Sequence, residues 1–205
     1  MSPSSNLAGV FHDALTEHVN IIRRLAGQQD AFTSAAALLS SCVLRGNKIL
    51  WCGNGGSAAD AQHFAAELVG RFRRPRGALA SIALTTDTSV LTAVTNDFSF
   101  EQVFARQVDA LCQPGDVVVA LSTSGNSGNV CAALHRAREL EAFTIAMTGE
   151  SGGRLVQYAD VCLSVPSKDP ARIQEAHTVL GHMLCDCLDR AMSMEEEFEA
   201  AGAVL

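Results

Sequence analysis

Aromatic residues are scarce, with one Trp, one Tyr and nine Phe in 205 positions. A core must therefore be filled by aliphatic and small side chains, and the plentiful alanine favours close helix packing. Basic residues are outnumbered, 15 against 22 acidic, for a net charge of −7. A general grip on nucleic acid needs a basic face, so no nucleic-acid partner is expected. No apolar run approaches the roughly 18–20 residues of a membrane span. No basic segment followed by an apolar one stands at the N-terminus, so neither membrane attachment nor a secretory signal is expected. None of the seven cysteines (42, 52, 112, 131, 162, 185 and 187) forms a Cys-x-x-Cys pair. Cys185 and Cys187 fall on a helical pattern, where residues two apart diverge. Most of the seven lie in apolar surroundings and read as buried free thiols of a cytoplasmic protein. Low-complexity segments, linkers and clear repeats are also lacking, so 1–205 is most simply one domain with a real core.

What is present is a regular alternation. Leu7, Val10, Phe11, Leu15, Val19, Ile22 and Leu25 recur at helical spacing over 6–26, and 31–45 reads as a second helix, with Asp30 as N-cap and Gly46 as stop. Short apolar runs at 48–52, 80–84, 117–121, 143–147 and 161–165 read as strands. Helical patterns at 57–72, 88–95, 100–111, 127–140 and 172–192 fall between and after them, and the last runs into the charged tail Glu195-Glu196-Glu197. The fold class is α/β: a five-stranded parallel sheet covered by helices on both faces, with right-handed crossovers. The N-terminal helical pair (6–45) is extra to that layer and is expected at a subunit interface.

Ligands of such sheets sit outside the carboxyl ends of the strands. Two turns there carry the chemistry. Ser122-Thr123-Ser124-Gly125-Asn126-Ser127-Gly128 crowds four hydroxyls and two glycines into one strand-to-helix turn, an anion cradle. It holds no lysine, so it suits one phosphate on a sugar better than a nucleoside triphosphate. Gly53-Asn54-Gly55-Gly56-Ser57 lets backbone approach a ligand closely, with Ser57 free to cap the helix or touch the ligand. The helix after it carries His63 and Glu67 at i, i+4, an imidazole and a carboxylate on one face; both are zinc-ligand types, although such pairs are common on surface helices. The last helix offers Gln174, Glu175, His177 and His182. Eight residues of regular helix span about 12 Å and turn about 80°, so Gln174 and His182 reach one ion only at full stretch. His177 lies off that face and reads as structural or exposed. Asp87 is expected to cap a helix. Arg71, Arg73, Arg74 and Arg76 form either a solvated loop or a phosphate or subunit contact, with Arg71 the best placed for the latter.

The stretches Gly53–Ser57 continuing as Ala-Ala-Asp-Ala-Gln-His-Phe-Ala-Ala-Glu-Leu, then Asn96-Asp97-Phe98, Ser122–Ser127, and Arg172-Ile173-Gln174-Glu175 with His182 together resemble the SIS (sugar isomerase) domain family. Within it they resemble the branch acting on sedoheptulose 7-phosphate. The resemblance covers nearly the whole chain, in order. It implies an SIS fold assembled as a homotetramer. It implies a phosphate held by Ser57, Ser122, Thr123, Ser124 and Ser127, with Asn54, Gly55, Gly56, Glu67, Asn96, Asp97 and Gln174 lining the rest of the sugar site. It further implies one zinc per subunit on His63, Glu67, Gln174 and His182, in a site that two subunits can share.

The reaction so implied is the aldose–ketose isomerisation of sedoheptulose 7-phosphate to D-glycero-D-manno-heptose 7-phosphate through an enediol, feeding a lipopolysaccharide core or another glycan. Glu67 is then the base and His182 its acid partner, each able to reverse roles. Two alternatives stand beside it. One is a non-catalytic tetramer of the DnaA initiator-associating type, in which the positions of Glu67 and His182 are typically lost. The other is a different sugar-phosphate isomerase of the same fold.

Overall fold

The computed structural model describes residues 3–202, with the side chains of residues 7–193. The side chains of Glu195, Glu196 and Glu197 lie outside the described ones. Five parallel strands form one sheet: β1 (Ile49–Gly53), β2 (Ser81–Ala83), β3 (Val117–Ser122), β4 (Phe143–Thr148) and β5 (Val161–Ser164), in the order β2-β1-β3-β4-β5. Among the described residues seven α-helices accompany them: α1 (Pro3–Arg24), α2 (Gln29–Leu44), α3 (Gly56–Val69), α4 (Thr88–Asp97), α5 (Ala105–Leu111), α6 (Gly128–Glu139) and α7 (Pro170–Gly202). The central strands are buried along their whole length, which is why they read as unbroken apolar runs rather than alternating ones.

Strand side chains alternate between two apolar layers. Ile49, Trp51, Val117, Val119, Leu121, Ile145 and Met147 meet α2, α3 and α7 through Leu39, Phe64, Leu68, Leu180 and Leu184. Leu50, Cys52, Val118, Ala120 and Ala146 meet α5 and α6 through Val108, Val130 and Leu134. Gly181 is the tightest helix contact in the first layer, because a Cβ there would overlap the Phe64 ring.

Several local expectations are corrected. Asp30 does not cap α2: the helix opens at Gln29, the N-cap is Gln28, and Asp30 sits in the first turn. A 3₁₀ turn, Leu25–Gln28, joins α1 directly to α2, so no break needs capping. Helix α2 is no appendage, because Ala35, Leu39, Cys42 and Val43 are buried in the sheet's own core. Helix α1 turns an apolar stripe outward, with Leu7, Val10, Phe11, Leu15 and Val19 all exposed. The pattern over 100–111 divides into a 3₁₀ turn, Phe100–Gln102, and the short α5. A further 3₁₀ helix, Gly153–Tyr158, was not anticipated. Helix α3 stops at Val69 rather than near residue 72. Gly46 (φ +76°) does end α2, and Asp87 caps α4 by accepting from Val90 N at 3.0 Å.

Candidate active site

Strand order reverses between β1 and β3: the chain leaves β1 for β2 on one side and returns to β3 on the other. A crevice opens at such a switch point. Gly53 and Leu121 are paired in the ladder, so the turns following both strands rise side by side. Asn54 and Asn129 lock them together with reciprocal amide hydrogen bonds of 2.9 and 2.8 Å. Asn54 thus builds the crevice wall, through a partner that sequence reasoning missed.

The serine-rich turn has the form of an anion cradle. Ser127 stands at the N-cap of α6 without capping it; its Oγ lies 3.2 Å from Ser122 Oγ. The turn is braced from behind. Gly149 N donates to Thr123 O, Leu155 N to Gly125 O, and Arg154 N to Asn126 Oδ1. Gly125 (φ +65°) admits this bracing, since a Cβ there would overlap the Gly152 carbonyl. Ser124 Oγ accepts from Asn126 N at 3.1 Å. The helix N-terminus and its hydroxyls favour a negative group. Ser57 is buried at the neighbouring turn, in the first turn of α3; Gly55 (φ +56°) takes the N-cap instead.

Helices α3 and α7 meet along a polar ladder. The Gln174 amide lies over Gly56, where any Cβ would collide with it. One turn on, Thr178 Oγ1 donates to Asp60 Oδ1 at 3.2 Å. One turn further, His182 Nε2 faces His63 Nε2 at 2.7 Å, one ring donating and the other accepting. Glu67 Oε1 is 3.7 Å from the same His63 nitrogen. The sequence-predicted His63, Glu67 and His182 are therefore brought together from two helices. Gln174 is not with them: it stands two rungs away, at the Gly-rich turn beside Gly55 and Gly56. Asn96 and Asp97 lie at the exposed end of α4, bonded to each other through Asn96 Nδ2 and Asp97 Oδ1.

Burial, and next the neighbouring His63, lower the pKa of His182. Burial raises that of Asp60, whose Oδ2 has no hydrogen-bond partner. His177 is wholly buried, its Nε2 3.2 Å from Thr148 O, and burial drives its pKa down to about 4. Of the two expectations for it, structural or exposed, its complete burial matches the first. Asp60 and Thr178 escaped sequence reasoning, yet the same i, i+3 and i, i+4 steps that link the named residues would have found them. Two imidazoles and a carboxylate are zinc-ligand types. Among the described residues, no three His, Cys, Asp or Glu side chains are already closed around one point.

The basic run after α3 is only partly solvated: Arg71 and Arg73 are exposed, while Arg74 and Arg76 turn to partners on α7. Arg76 is buried on Asp189, Arg74 pairs with Asp186 at 2.9 Å, and Arg73 lies over the Phe72 ring. Only Arg71 is left exposed without a described role.

The SIS domain family matches residues 15–149 of the chain. A phosphoheptose isomerase of Roseiflexus sp. is 48% identical over 195 residues, covering 95% of this chain and 99% of that protein. One of Aquifex aeolicus is 55% identical over 154 residues, covering 75% and 81%. The solved phosphoheptose isomerase of Neisseria gonorrhoeae superposes with a TM-score of 0.85 at 45% identity, covering 90% of this chain and 99% of that one. With its serine-rich turn at the switch point and His63, Glu67 and His182 brought together from α3 and α7, the chain belongs to the SIS domain family and, within it, to the phosphoheptose isomerases.

Proposed function

We propose that this enzyme interconverts sedoheptulose 7-phosphate and D-glycero-D-manno-heptose 7-phosphate. The observation that carries the reading is the meeting of His182 with His63 and Glu67 on the same helix that begins at the phosphate-side crevice. The phosphate settles among Ser57, Ser122, Thr123, Ser124 and Ser127 at the α6 N-terminus. The sugar chain runs along the α3–α7 ladder past Gly55, Gly56 and Gln174. From Gly56 to His63 is about 10 Å along the helix axis, so anchoring and chemistry occur at opposite ends of an extended ligand. Binding energy from the phosphate then fixes the geometry at the reacting carbons.

In the ketose-to-aldose direction, Glu67 takes the proton from C1 while His182 protonates the C2 carbonyl oxygen, giving the enediol. Glu67 then returns its proton to C2, and His182 recovers one from the C1 hydroxyl as the new carbonyl forms. An imidazole can both give and accept a proton, which the two halves of this reaction require.

Zinc fits the donor chemistry of His63, Glu67 and His182, and when bound it would polarise the carbonyl. Gln174, two rungs away, would join that set in a site shared between copies. The outward stripe of α1 supports a homo-oligomer, and we propose the homotetramer. The seven free thiols support a reducing, cytoplasmic setting. Supply of heptose to a lipopolysaccharide core or another glycan follows from the product.

The test is incubation of metal-analysed protein with sedoheptulose 7-phosphate and identification of the product. Glu67→Gln and His182→Ala should bind the sugar phosphate but lose turnover by about 10²–10⁴-fold each. Full activity in either variant removes its role.

A further inference from the structure

A buried ion pair lies behind the proposed acid–base groups. Arg76 and Asp189 have wholly buried side chains. Arg76 Nε donates to Asp189 Oδ1 at 2.7 Å. Its two terminal nitrogens donate to the carbonyls of Glu67 and Leu68, at 2.9 and 2.8 Å, and to Gly77 O at 2.9 Å. Asp189 Oδ2 receives the backbone N–H groups of Arg73 and Arg74 at 2.7 and 2.9 Å. A charge pair taken out of water is tolerated only when its remaining donors and acceptors are matched in this way. Water or a glycine motif can finish a helix without any ion pair, so this arrangement does more than end α3.

It fixes three things at once. The last turn of α3 is held through the carbonyl of Glu67 itself. Asp189 stands seven residues beyond His182, two turns along the same side of α7, so the pair sets the spacing of the two helices where Glu67 and His182 meet. The connecting segment is pinned at Arg73 and Arg74, which lays the Phe72 ring flat on the His182 imidazole, 5.2 Å between centroids and 12° between planes. The His63 ring meets His182 at 4.9 Å between centroids in a T-shaped contact, with their Nε2 atoms 2.7 Å apart. Phe64 lies edge-on at 6.2 Å. The imidazole is thus stacked on Phe72 and fixed at its Nε2 by His63.

We propose that the Arg76–Asp189 pair is a positioning element for the isomerisation, holding Glu67 through its backbone and His182 through the stacked ring of Phe72. The proposal rests on the acid–base roles given above to Glu67 and His182. It assigns no proton transfer to Arg76, Asp189 or Phe72.

The test is steady-state kinetics on Phe72→Leu, Phe72→Tyr, Arg76→Lys and Asp189→Asn, beside Glu67→Gln and His182→Ala, below each variant's melting temperature as read by circular dichroism. Phe72 is only half-buried, so its variants should fold even where those at the ion pair do not. Phe72→Leu should lower kcat by about 10- to 100-fold while KM stays within about threefold, since the phosphate anchor is untouched. Phe72→Tyr should restore kcat. Arg76→Lys keeps the charge but loses the fork, and its folded form should show the same split. Wild-type kcat in Phe72→Leu, or a loss confined to KM, overturns the proposal. If that occurs while Glu67→Gln and His182→Ala are inactive, only the positioning role falls; if those two variants are fully active, the acid–base reading itself falls.

Discussion

Replacing His177 by Gln should make the protein's stability less sensitive to acid, by an amount the structure sets. The imidazole is wholly buried between α7 and the end of β4, and its Nε2 bonds Thr148 O. Burial holds its pKa at about 4 against an ordinary 6.5, with the Thr148 contact opposing the shift. Between those values the unfolded chain binds a proton that the folded chain refuses. The sign follows: the contribution of His177 is complete above pH 6.5 and is lost as pH falls toward and through 4. Between pH 7 and pH 5 the loss from this one group is about 2 kcal/mol. Gln can still donate to Thr148 O but cannot titrate. Asp116 and Asp189, whose pKa values are lowered by hydrogen bonds that outweigh burial, push stability the same way in both proteins and cancel in the difference. The assay is denaturant unfolding by circular dichroism at matched protein concentration, in steps from pH 7.5 to 5. The wild type should lose about 2 kcal/mol more than His177→Gln across that range. Parallel curves would refute the reasoning, because they would mean the folded imidazole titrates normally.

Three further outcomes follow from the site. Gly125→Ala must place a Cβ on the Gly152 carbonyl at a φ of +65°; it should cost about 1–3 kcal/mol and abolish competition by inorganic phosphate, read by thermal melts with and without phosphate. Gly56→Ala must expel the Gln174 amide; isomerase activity should fall at least about tenfold while phosphate protection against melting persists, a pattern that retained activity would contradict. Charging the α1 stripe, with Val10→Lys and Phe11→Glu together, should dissociate the assembly on a sizing column; an unchanged elution volume would place the subunit interface elsewhere.

The sheet was legible because its strands are covered on both faces. An unbroken run such as Val117–Leu121, too short to be a helix core, has few other uses than a strand buried on both faces. The cradle was legible because a hydroxyl- and glycine-rich turn after such a strand has a fixed place, at its carboxyl end. What stayed hidden depended on register between distant segments. Nothing local in Asn129 marks it as the partner of Asn54, 75 positions away. The basic run at 71–76 looked solvated because charge runs usually are. Asp189, lying 113 positions beyond Arg76, is what draws Arg76 inward and ends α3 early, leaving Phe72 to reach His182.

The same dependence resolves the strain seen between Gln174 and His182. Treated as two ligands of one ion on one helix, they are about 12 Å apart and fit badly. Read against α3, each has its own rung: Gln174 with Gly56, Thr178 with Asp60, His182 with His63. A spacing of four residues on α7 is matched by steps of three or four on α3, because two packed helices present their side chains at the same axial intervals. The sequence interval that argued against a single cluster is therefore the interval the proposed ligand would span, with its phosphate at one end of the ladder and its reacting carbons at the other. A compact metal site on one helix would have required residues one turn apart. This chain has that spacing in His63 and Glu67 on α3, and the partner it brings to them from α7 is His182.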